Sequence, residues 1–336
     1  MESHTAGVGH RWRPADVVRT RSAYNGKSGS TIYSSAVQPV NLLLKESKMH
    51  NHQRRLRQRE LASQLPAETT LAFDQPYIPG ADCEAAFNSN QTLDLYVPSG
   101  PGPFPLIIWI HGGGWSQFNK DVDFASQVLS RGFALASLDY RLTSDKFPFP
   151  AQIEDCIAAL VWLRQSGAQY RVDADRIGLI GHSAGAHLSA LLGTIGGANP
   201  FASPTGVSTG VQAAVLWSGP LDLGRERGKW PTDSFPWDPD DIFSRLFFPD
   251  GVYDEEFAQW ASPASYIRAG LPPMLIVHGA EDTIVPPGQA ITFAEDLERS
   301  GAKVKIRIQE GTGHDLPSPD NHAEALQFFE SVLKAP

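Results

Sequence analysis

Hydrophobic and polar positions follow two periods along this chain, from about residue 90 to its end. Thr92-Leu93-Asp94-Leu95-Tyr96-Val97 changes character at every second residue and predicts a strand, closed by Pro98 and a Ser/Gly/Pro loop. Leu106-Ile107-Ile108-Trp109-Ile110 is apolar throughout, the mark of a strand covered on both faces. A helical stretch near Phe124 to Ser130 leads to a strand over Phe133 to Leu138. Apolar residues at Ile153, Ile157, Leu160 and Val161 then predict a helix over Ile153 to Leu163. The run Arg176 to Ile180 reads as a strand, Ala186 to Leu192 as a helix and Ala213 to Trp217 as a strand. Met274 to Val277 (strand), Gln289 to Ser300 (helix), Val304 to Ile308 (strand) and Ala323 to Lys334 (helix) complete the series.

Strands alternating with helices predict an α/β fold, a mostly parallel sheet flanked by helices on both faces. Two regions break the rhythm. Between about Gly224 and Ile267 no strand pattern appears, and the stretch holds Trp230, Phe235, Trp237, Phe243, Phe247, Phe248, Tyr253 and Trp260. A connection of that length reads as a lid or small added subdomain. Its aromatic residues fit a small core and a substrate wall equally, because both are apolar. Residues 1 to about 48 mix Arg, Ser, Gly and His without period and read as a disordered leader, with Met49 a candidate start. Residues 54–64 predict a short charged helix stopped by Pro66. The chain therefore divides into a leader over 1–65 and one domain over 66–336, with an insertion at about 224–267.

Composition narrows the function classes. The 336 residues are 41% hydrophobic, ordinary for a soluble globular enzyme, and the formal net charge of -9 argues against a general nucleic-acid binder. No run reaches the roughly 20 apolar residues of a membrane span, and no apolar segment follows the basic N-terminal residues, so the expected location is cytoplasmic. Cys83 and Cys156 read as two buried free thiols. No zinc or calcium ligand spacing is visible, so neither metal nor cofactor is expected.

Candidate chemistry falls just after the predicted strands, where ligands sit on such sheets. Gly181-His182-Ser183-Ala184-Gly185 stands between a strand and a helix and has the form of a nucleophile elbow. A serine hydroxyl needs a histidine base and a carboxylate to orient it, in chain order acid then histidine. His314, in Glu310-Gly311-Thr312-Gly313-His314, and Asp282, in His278-Gly279-Ala280-Glu281-Asp282, occupy the loops after the last two strands. Glu281 is an alternative acid; Asp282 is favoured because Thr283-Ile284-Val285-Pro286 fixes its backbone. Asp315 stands beside the histidine and is badly placed to orient it. His322 opens the last helix and is expected at the surface, and His182 is expected to turn away from Ser183. His111-Gly112-Gly113-Gly114-Trp115 follows a central strand, where glycines let backbone N–H groups reach a developing oxyanion; Gly113, Gly114 and Ala184 are the expected donors. A phosphate-cradling role lacks both the G-x-G-x-x-G spacing and a following Gly-Lys-Ser/Thr. Trp115, His182 and Trp217 are candidate substrate-binding residues at the same edge. Asp139, Tyr140, Arg141 and Asp155 are expected to brace the loops, an Asp–Arg pair holding the oxyanion loop.

From about Leu93 to Leu333 the chain resembles the α/β-hydrolase superfamily, in its esterase branch with a His-Gly-Gly-Gly-Trp loop, and is similar to hormone-sensitive-lipase-like and acetyl-xylan or feruloyl esterase-like members. The resemblance is carried by Leu93 to Pro98, His111 to Trp115, Asp139-Tyr140-Arg141-Leu142, Asp175 to Leu179 and the elbow. It implies hydrolysis of small-molecule carboxylic esters through an acyl-enzyme, with small to medium or carbohydrate-linked acyl groups. Ser183 maps to the nucleophile, Asp282 to the acid, His314 to the base, and Gly113, Gly114 and Ala184 to the oxyanion donors. At the sixth elbow position Ala186 stands where many of these esterases have glycine. Gly-His-Ser-Ala-Gly-Ala-His is also similar to the elbow of kynurenine formamidases, which makes amide hydrolysis by an arylformamidase the alternative. A non-catalytic relative used for binding ranks lower, since serine, histidine and oxyanion glycines are all present.

Overall fold

The apolar runs become the strands of one sheet because both of its faces are covered. The computed structural model describes residues 56–66, 68–78, 91–144, 146–196, 200–201, 206–224 and 253–334, all within the unit Leu44–Pro336. Eight strands are present among them: β1 (Thr70–Pro76), β2 (Thr92–Val97), β3 (Phe104–Ile110), β4 (Ala134–Leu138), β5 (Val172–His182), β6 (Ala213–Trp217), β7 (Met274–Gly279) and β8 (Val304–Gln309). Their spatial order is β1-β2-β4-β3-β5-β6-β7-β8. β1 and β2 are antiparallel to their neighbours, and every pair from β4 to β8 is parallel.

Alternation along β3 distributes side chains to two cores. Leu106, Ile108 and Ile110 face one, shared with helices α3 (Ala151–Ser166), α4 (Ala184–Ile195) and α6 (Gly288–Arg299). Ile107 and Trp109 face the other, beneath α2 (Ala125–Ser130) and α7 (Pro319–Leu333). A helix α1 covers 56–63, and α5 (Glu255–Ala261) is started by Asp254, whose carboxylate accepts the Phe257 N–H. After β3 the chain moves outward to β4, then returns past β3 to build β5, which pairs with β3 from Leu106–Ile177 to Ile110–Gly181. The connections therefore diverge between β3 and β5, opening a crevice at the carboxyl ends of those two strands.

β1 had no signal: TLAFDQP is half-exposed, ends in proline and shifts register between Ala72 and Gln75, with Asp74 at φ 56°. His322, expected at the surface, is buried, its ring stacked on Phe124 at 4.5 Å. Because α7 begins at Pro319, residue 322 falls on the inward face of its first turn. Cys156 is a buried free thiol. The charged helix expected over 54–64 corresponds to α1, whereas the expectations for residues 1–55 and for Cys83 lie outside the described residues, as does most of the 224–267 stretch. Its described part contains α5 and a 3-10 turn, Pro263–Tyr266, with Trp260 packed on Phe149 and Phe201. No described helix is long and apolar enough to cross a membrane.

Candidate active site

Ser183 occupies the junction of β5 and α4, at φ 55° and ψ -120°. A non-glycine residue in that region is strained by about 1–3 kcal/mol and needs rigid support. Support comes from both sides: the Ser183 N–H donates to Trp217 O at 2.8 Å, and Ser183 O accepts the His187 N–H at 3.1 Å. The elbow glycines are obligatory. A Cβ at Gly185 would lie 2.0 Å from Ile110 O, and one at Gly181 2.3 Å from the Gly185 carbonyl carbon.

Asp282 follows β7, and its two oxygens are divided between backbone and imidazole. Oδ1 accepts the N–H groups of Ile284 and Val285, both at 2.9 Å. Oδ2 lies 2.8 Å from Nδ1 of His314 and 3.2 Å from Nε2 of His278, whose N–H is shared with Val285 O at 2.8 Å. Burial by itself would raise this carboxyl, but hydrogen bonds from His278, His314 and the Val285 N–H hold it well below the usual carboxylate range. The ionised Asp282 thus fixes the proton of His314 on Nδ1 and leaves Nε2 as the acceptor. Glu281, next in sequence, is exposed and contributes only its backbone, its N–H donating to Thr312 O at 3.0 Å.

His314 is also tied to the elbow. His182 Nε2–H donates to His314 O at 2.8 Å, with ring centroids 5.0 Å apart. His182 therefore turns toward the His314 loop, and burial lowers its pKa and keeps it neutral. On the other side of Ser183 lies the glycine loop after β3. A Cβ at Gly112 would stand 3.3 Å from Ser183 Cβ, which measures how closely that loop approaches. Gly113, Gly114 and Trp115 take φ of 88°, 54° and 58°, a run of left-handed residues. Among the described residues no backbone carbonyl accepts from the N–H of Gly113, Gly114 or Ala184.

Tyr140 braces this loop. Its hydroxyl shares its proton between His111 O at 3.0 Å and Gly112 O at 3.1 Å, while its ring stacks on His111 at 4.3 Å. Arg141 is clamped by Asp155 through its side chain and its own N–H. The Asp–Arg pair thus anchors the residue beside Tyr140, and the tyrosine holds the loop. Asp139 instead receives the Lys120 N–H at 2.7 Å and its ammonium at 3.1 Å.

The two candidate tryptophans are core residues here. Trp217 is fully buried between Trp109 and His322, on the sheet face away from α4. Trp115 is 2% exposed, and its indole N–H donates to Nδ1 of His187 at 3.2 Å. His187 and His278 carry no site expectation from the sequence. The usable signal for His187 was its position four residues after Ser183, one turn along the same helical face.

The BD-FAE family model matches residues 93–297. Esterase LipQ of Mycobacterium tuberculosis is 30% identical over 77% of this chain, which spans 62% of that relative's length. Among solved structures, a truncated carbohydrate esterase from gut microbiota is 25% identical with a TM-score of 0.68, covering 79% of this chain and 98% of its own. The propionate-bound esterase Est2 from the planctomycete Thermogutta terrifontis is 27% identical with a TM-score of 0.60, covering 79% and 93%.

Proposed function

Since this chain belongs to the BD-FAE family, in the esterase branch of the α/β hydrolases, we propose that it hydrolyses carboxylic esters through an acyl-enzyme formed on Ser183. His314 Nε2 takes the hydroxyl proton as Oγ attacks the ester carbonyl, and Asp282 stabilises the imidazolium without taking the proton itself. The N–H groups of Gly113, Gly114 and Ala184 receive the oxyanion. Collapse of the tetrahedral intermediate expels the alcohol, protonated by His314, and a water attacking by the reverse sequence releases the acid. The observation that carries this reading is the 2.8 Å bond from His314 to Asp282, in a loop held to the elbow by His182, the residue before Ser183.

The proposed substrates are short acyl esters, including acyl groups carried on sugars. Support comes from the propionate held by Est2 and from the carbohydrate esterase among the similar structures. A p-nitrophenyl series from acetate to laurate, run beside an acetylated xylan oligomer and N-formylkynurenine, tests both parts. Acetate to butyrate should be turned over fastest, and Ser183→Ala should lose on the order of 10⁴-fold or more in kcat. Equal activity in the wild type and Ser183→Ala would overturn the mechanism. Faster hydrolysis of N-formylkynurenine than of any ester would move the assignment to amide hydrolysis.

A further inference from the structure

His187 is fully buried on α4, in a position that a leucine or phenylalanine could fill without a polar atom. Burying an imidazole is costly unless both nitrogens find partners, and here both do. Nε2 lies 2.8 Å from Ala261 O, a carbonyl, so the ring proton resides on Nε2. Nδ1 is then an acceptor, and the Trp115 indole N–H donates to it at 3.2 Å, the rings meeting edge to face at 5.2 Å. A neutral histidine combines one donor and one acceptor on a single rigid ring, which suits it to joining two segments 72 and 74 residues away in the chain.

The segment it reaches is the strained one. Trp115 closes the run of left-handed residues that begins at Gly113, and as a non-glycine it adopts φ 58° at a conformational cost. Its backbone is tied by the Thr143 N–H donating to Trp115 O at 2.9 Å, and its side chain by His187. His187 is itself registered to the elbow, since its N–H donates to Ser183 O.

We infer that His187 is a positioning residue for the oxyanion loop: acting through the Trp115 indole, it sets the spacing between Gly113–Gly114 and the Ser183 turn. This rests on the ester-hydrolase reading above. The loop carries donors that act on charge developing only in the transition state, so a loosened loop lowers kcat and leaves KM nearly unchanged.

Three variants separate this role from simple core packing. Trp115→Phe removes the indole N–H and keeps an aromatic ring. His187→Gln places an amide nitrogen near the position of Nε2 and loses the acceptor, whereas His187→Asn places an amide oxygen near Nδ1 and keeps it. With p-nitrophenyl acetate, Trp115→Phe and His187→Gln should each lose about 10- to 100-fold in kcat, the scale of a small misplacement of catalytic groups. The double variant should fall no further than the worse single, because both remove one interaction. His187→Asn should stay within a few-fold of wild type. Losses that multiply in the double variant, a His187→Asn as slow as His187→Gln, or a fall in melting temperature with kcat unchanged would each overturn the inference. Ser183→Ala in the same assay keeps the two readings apart: its collapse alongside unaffected Trp115→Phe and His187→Gln enzymes would reject the role of His187 alone.

Discussion

At the elbow the sixth position is the informative residue. Ala186 carries a methyl group there that packs against Gly219: a Cβ placed on Gly219 would lie 2.7 Å from Ala186 Cβ. Gly219, in the loop after β6, is the small residue facing it, so the two positions together leave room for one methyl group. Gly219→Ala should therefore destabilise the protein by about 1–3 kcal/mol, the usual cost of overpacking. Adding Ala186→Gly should return most of that loss, less the roughly 1 kcal/mol that glycine costs inside a helix. Urea unfolding of the two singles and the double measures the coupling, and a neutral Gly219→Ala would show that the loop yields freely.

Among the elements, the antiparallel flank of the sheet holds the glycine loop from behind. Lys120 lies between that loop and α2, and its ammonium is 3% exposed as a residue yet surrounded by carboxylates: Asp74 at 2.8 Å, Asp139 at 3.1 Å and Asp94 at 3.6 Å. Thr92 Oγ1 accepts from it at 2.9 Å, and Ser137 Oγ donates to its backbone oxygen. One buried cation thus pins the segment to β1, β2 and β4 at once. Lys120→Met removes the positive charge from several buried carboxylates, an imbalance that costs about 3–5 kcal/mol. Its midpoint in denaturant should drop accordingly, and a change below about 1 kcal/mol would mean that water already shares the site.

Across the molecule, burial disfavours the charged form of four of the described histidines. Burial lowers the pKa of His111, His182 and His322, and brings His187 down to about 4. For a histidine with a lowered folded value, the unfolded chain binds protons that the native protein refuses. Its contribution to stability is thus complete above the ordinary value of about 6.5 and is lost as pH falls through the folded value. Asp282 acts in the same direction at lower pH, since its folded carboxyl is held below the ordinary range. The unfolding free energy from denaturant titration should fall between about pH 6.5 and 4.5, by up to about 1.4 kcal/mol per pH unit for each such histidine. His187→Asn should flatten that slope, and an unchanged slope would remove His187 from the titrating set.

Much of this architecture is legible in the sequence, for a physical reason. Period and apolar continuity mark strands and helices, so β2 to β8 and all the helices between them except α5 stand out, and with them the rule that Ser183, Asp282 and His314 all follow strands of one sheet. They report coverage less well, since β2 alternates yet all six of its residues are buried. The half-exposed β1, broken by Asp74 and ended by Pro76, has no such period. Pairing is long-range, and only the tertiary structure decided that β5 returns beside β3, which opens the crevice and sets the Gly112 loop against Ser183. Glu281 and Asp282 are equivalent by position after β7. The turn to Val285, with two N–H groups and two imidazoles converging on one carboxylate, selects Asp282 as the partner of His314. The same holds for His187 and His322: a sequence records that an imidazole is present, and only packing determines that one bridges Ala261 and Trp115 while the other lies flat on Phe124.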